Sequence, residues 1–138
     1  MKINKTRLIA VVLALFSIVL LSFSCEPHQV SYFPVQKEPQ QQFLLTRMEG
    51  KLFIDNHGYL RLKADGNSPP LIIWPYGYSW KNEDNKIWII NNKGKAIWRV
   101  GDTVVLGDGF TDASDMELKT GQPLPAEAVG PYFESNPQ

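Results

Sequence analysis

The chain has one cysteine and two histidines in 138 residues. A single cysteine excludes an internal disulfide framework and a cysteine-rich zinc site. Two histidines, His28 and His57, leave little for a metal centre or a proton relay, and no metal or cofactor is expected. Charge of one sign is also lacking, with 14 Lys and Arg against 14 Asp and Glu. No G-x-S-x-G elbow is present, and after residue 24 no apolar pattern at helical spacing is long enough for a substantial helix. Internal repeats are absent.

What is there begins at the N-terminus. Lys2, Lys5 and Arg7 precede an apolar run, Leu8 to Leu21, broken only by Ser17. A basic start, a short apolar core and small residues after it make a secretory signal, expected over residues 1–24. The run is short for a spanning helix, which needs about 20 apolar residues. An uncleaved anchor is the alternative. Without residues 1–24 the balance becomes 11 bases against 14 acids, a net −3. That charge and an exported location argue against nucleic-acid binding.

Cys25 stands where the apolar run ends, directly after Ser24. This junction resembles the lipobox of bacterial lipoproteins, with Leu21 one place further back than usual and Phe23 in a place usually small. The resemblance implies that the Cys25 thiol is acylated with a palmitate-type lipid and becomes the mature N-terminus. The protein would then be a lipoprotein on the extracytoplasmic face of the cell membrane or outer membrane. Each buried CH₂ of such a lipid adds about 0.8 kcal/mol of membrane affinity. Cys25 would be a tether rather than a catalyst.

Residues 25–42 hold three prolines and five glutamines after the cysteine and read as a flexible linker. As a semi-extended stalk it would lift a domain up to roughly 50 Å from the bilayer. From Phe43 the pattern changes to short strands. Lys51–Asp55 and Tyr59–Lys63 flank the turn Asn56-His57-Gly58. Leu60 and Leu62 alternate with Tyr59, Arg61 and Lys63, as in a half-buried antiparallel strand. Further strands are expected at Leu71–Trp74, Lys86–Ile90, Lys95–Val100 and Thr103–Leu106. Residues 81–85 read as a polar turn. The expectation is an all-β fold: one small antiparallel barrel, SH3-like or OB-like, of six to seven short strands over residues 43–110. Residues 111–138 read as an acidic, then Pro/Gly-rich tail. Ala113–Leu118 suggests one short helix, with Tyr132 and Phe133 docking back on the barrel.

Leu71-Ile-Ile-Trp-Pro75 with Gly77, Asn91–Gly94, Val100-Gly-Asp-Thr-Val104, Leu106-Gly-Asp-Gly109 and Gly130-Pro-Tyr-Phe133 together resemble small bacterial exported proteins. The resemblance covers Leu52 to Phe133. It implies a β-barrel and brings no activity with it.

The most distinctive segment is Trp74-Pro-Tyr-Gly-Tyr-Ser-Trp80. Trp74, Tyr76, Tyr78 and Trp80 recur at every second position, which on one extended strand places all four rings on one face. An exposed row could stack on sugars or clamp a peptide. Pro75 and Gly77 interrupt it, so the competing reading puts Trp74 and Trp80 in the core. Asp108, Asp112, Asp115 and Glu117 lack the order of a calcium loop and read as a solvated acidic stretch. The functional expectation is a binding or envelope-interaction module whose partner is the membrane, through its lipid, and an envelope polymer or protein. A structural component of an envelope assembly is the alternative, and an enzyme the least supported reading.

Overall fold

The computed structural model describes residues 29–41 and 45–136. The expected signal peptide and Cys25 lie outside the described residues. Eight strands and one helix follow in order: β1 (Thr46–Ile54), β2 (Leu60–Lys63), β3 (Leu71–Ile73), β4 (Ser79–Glu83), β5 (Lys86–Ile90), β6 (Ala96–Arg99), β7 (Thr103–Thr111), α1 (Ala113–Thr120) and β8 (Tyr132–Ser135).

Five strands close a barrel in the order β1-β2-β3-β8-β7. β1, β2 and β3 form a meander, with Leu52 opposite Leu62 and Arg61 opposite Leu71. β7 then returns to lie antiparallel beside β1, from Lys51 opposite Thr103 to Thr46 opposite Asp108. That is a Greek key. β8 closes the circle, parallel to β3 and antiparallel to β7. A closed five-strand Greek-key barrel is the OB-like arrangement of the two left open by the sequence. Its one parallel pair departs from the all-antiparallel expectation.

The remaining strands form a separate sheet, β4-β5-β6, inserted between β3 and β7. Trp80, Ile89 and Trp98 are cross-strand partners. They pack with Ile87 against the barrel interior, which is filled by Met48, Leu52, Leu60, Leu62, Ile72, Val104, Leu106 and Phe133. A second cluster lies outside β3, where Leu71, Ile73, Tyr59 and Tyr132 are covered by Met116 of α1 and by Ala128. β3 is therefore buried on both faces, which accounts for its unbroken Leu-Ile-Ile. Asp112 caps α1 by accepting from the Asp115 N–H, and Gly121, left-handed at φ 66°, ends it.

Two boundaries are corrected. Residues 29–41 are no free linker but a strap that belts the barrel. Ser31 N–H donates to Gly58 O, Tyr32 bridges to Tyr59, Val35 to Trp74, and Lys37 N–H donates to Lys119 O. Gln36 then reaches Glu134 on β8, and Gln40 reaches Asp108 on β7. The strap thus passes the β1–β2 turn, the end of β3, then α1, β8 and β7. Its own Val30, Pro34 and Gln36 are buried. Residues 111–136 are likewise no tail, because β8 supplies a barrel strand whose four residues are all buried. Among the described residues, both the strap and the segment after β7 belong to the folded unit.

Candidate functional site

The aromatic segment after β3 does not form an exposed row. Its expected ligand-contact residues divide between core and surface. Trp74 is fully buried, stacked on Phe33 of the strap with centroids 5.3 Å apart and 5° between planes. Tyr78 is buried beside it at 6.4 Å. Trp80 is half-buried and turned toward the barrel, and only Tyr76 stands out, 49% exposed. The cause is local. Tyr78 N–H donates to Pro75 O at 3.1 Å, and Gly77 takes φ 78°. A tight turn with a left-handed third residue replaces the extended strand that a shared face requires. The rings serve packing, and Tyr76 alone keeps a contact surface.

His57 sits exposed in the β1–β2 turn, its ring stacked on Tyr59 at 5.8 Å. The turn is ordered by Asp55, whose carboxylate accepts from the N–H groups of His57 and Tyr59. Arg61 Nε meets the same carboxylate at 2.6 Å. Its other nitrogens donate to Pro69 O at 3.0 Å and Val129 O at 2.8 Å. Burial pushes the Asp55 pKa upward, but the Arg61 hydrogen bond, the two N–H donors and the Arg61 charge outweigh it and hold it below the ordinary value. One guanidinium thereby joins three loops. This is a structural clamp.

The densest polar constellation lies under the strap. Gln36 Nε2 donates to Glu134 Oε1 at 3.1 Å, Lys119 Nζ meets Glu134 Oε2 at 2.5 Å, and Gln40 donates to Asp108. Gln36, Asp108 and Glu134 are all buried. Gln36, Gln40, Lys119 and Glu134 border a cleft of about 470 Å³, with Lys37 and Glu38 also on its lining and Pro39 and Leu118 as its apolar rim. Amides, carboxylates and two lysines along one cleft suit a hydroxyl-rich or peptide-like ligand. The sequence hid this site because its members lie in the strap, α1, β7 and β8, far apart along the chain. Ser31 donates to His57 O, Ser114 to Asp112 and Ser135 to Ile73 O. Among the described residues no group of three or more His, Cys, Asp or Glu is placed to hold a metal ion.

A second surface lies on the insert sheet. Lys81, Trp88 and Arg99 are cross-strand partners, one row along from Trp80, Ile89 and Trp98. Alternation puts this row on the outward face. Trp88 is half-buried, with Arg99 Cζ 5.8 Å from its ring centroid.

No protein-family model matches the chain, and neither a curated protein nor a solved structure matches it.

Proposed function

We propose that this chain is a lipid-anchored, extracytoplasmic binding module of a bacterial cell envelope, tethered through Cys25. The observation that supports the reading is one of chain economy. The only cysteine closes an apolar run behind a basic start, and it stands five residues before Val30, which is buried in the barrel core. A single OB-like barrel with a polar cleft, directly behind an anchor, suits the capture of an envelope polymer or protein at the membrane surface.

The test is fractionation of cells fed a labelled fatty acid. Wild type is expected in membranes with label, and Cys25→Ala without it. Wild type found in membranes without label would mean that residues 8–23 anchor the chain themselves.

A second reading, a structural part of an envelope assembly, draws on the insert sheet. Among the described residues β4 and β6 each pair only with β5, so both present a strand edge able to pair with another chain. Proline placed at Asn82 would abolish such an assembly and leave small-ligand binding in the cleft intact.

A further inference from the structure

Charge is segregated in this protein. The insert, residues 79–102, carries five bases (Lys81, Lys86, Lys93, Lys95, Arg99) against three acids (Glu83, Asp84, Asp102). The rest of the chain from Cys25 onward carries six bases against eleven acids. A basic sheet thus stands on an acidic body. Its outward row, Lys81, Trp88 and Arg99, places a half-buried indole between two cations whose side chains are 47% and 42% exposed. Their ion pairs with Glu83 and Asp102 are themselves exposed. Such pairs hold a cation weakly and leave it available to a stronger field.

The insert also occupies the tethered end of the barrel. It departs at Trp74, whose N–H donates to Pro34 O and whose O accepts from Gln36 N–H. It returns at Asp102, whose O accepts from Leu52 N–H near the end of β1. The β1–β2 turn beyond is held by the start of the strap through Ser31 and Gly58. Three residues between Cys25 and Gln29 span at most about 15 Å when extended.

We propose that the outward face of the insert sheet, Lys81–Trp88–Arg99 with Lys86 beside it, docks on the anionic headgroups of the bilayer that holds Cys25. The proposal rests on the lipid anchor at Cys25. Indole combines a large apolar ring with one N–H donor, the pairing favoured at the membrane–water boundary. Lys and Arg beside it are drawn to anionic lipid within a Debye length, about 8 Å at physiological salt. The same field repels the acidic remainder, so it orients the barrel as well as holding it.

The test uses full-chain protein purified from membranes, its lipid verified by mass, in vesicles of brominated phosphatidylcholine with or without phosphatidylglycerol. Tryptophan quenching is the readout. Quenching is expected to require phosphatidylglycerol, to weaken in high salt, and to fall by roughly half or more in Trp88→Phe. The fold-neutral double variant Lys81→Gln/Lys86→Gln is expected to lose it similarly. Lipidated protein quenched equally in neutral and anionic vesicles, or Trp88→Phe quenched like wild type, overturns the docking and leaves the anchor standing. Purified protein without lipid overturns the anchor, and the docking proposal with it.

Discussion

Gln36 Nε2 donates to Glu134 Oε1 at 3.1 Å across 98 residues of sequence. One bond joins the strap to the last strand of the barrel, and both side chains are buried. It makes the strap part of the fold. Residues 29–41, which composition suggests as part of a roughly 50 Å stalk, are packed on the barrel instead.

That bond makes the first prediction. Gln36→Ala removes one of the two described partners of the buried Glu134 carboxylate and leaves Lys119 as the other. The expected loss is about 1–3 kcal/mol, the usual cost of orphaning a buried polar group. Urea unfolding measures it, and an unchanged midpoint would mean that the strap does not stay docked in solution.

Trp74 and Tyr76 are two residues apart and should behave oppositely. Trp74→Ala removes a fully buried ring in contact with Phe33, Tyr78 and Trp98. It should cost about 3–5 kcal/mol. Tyr76→Ala touches an exposed side chain and should fall within about 0.5 kcal/mol of wild type. Thermal melts of the two variants decide the matter.

Gly50 lies in β1 where a Cβ would meet Lys63 O at 2.6 Å. The neighbour is backbone of β2 and has no rotamer to change. Gly50→Ala should therefore destabilise the barrel by about 1–3 kcal/mol, read from the urea midpoint.

Two titrations act at opposite ends of the pH range. The folded pKa of Asp55 is lowered, so its contribution is full above the ordinary carboxylate pKa and is lost as pH falls through the folded value. Asp55→Asn should flatten the acid limb of the stability profile. Tyr32 is pushed up to about 12 by burial, then by Glu117, Tyr132 and Tyr59. Its contribution is full below the ordinary value of 10.0 and is lost as pH rises toward about 12. Tyr32→Phe should remove that part of the alkaline loss. Urea midpoints across the range check both signs.

The barrel strands were legible wherever one residue had one burial role. Leu60, Arg61, Leu62 and Lys63 alternate, and Asn56-His57-Gly58 announces its turn. Legibility failed where partners are distant. Ser79–Glu83 reads as polar because it is an edge strand in which Trp80 alone is partly buried. Tyr132–Ser135 lies among prolines and becomes a strand only because β3 and β7 leave a gap that it closes. The strap shows proline and glutamine, and nothing local reveals that Phe33 will find Trp74 or that Gln36 will find Glu134. The polar cleft was invisible for the same reason. The aromatic row was visible as a pattern, but the turn at Gly77 divides it between core and surface.

The central claim is that Cys25 is the membrane tether of this barrel. Mass analysis of the N-terminal peptide from membrane-purified protein tests it most directly. The account predicts a chain beginning at Cys25 and carrying a diacylglycerol on its thiol. A chain that retains residues 1–24, or one that begins elsewhere with an unmodified Cys25, would contradict it.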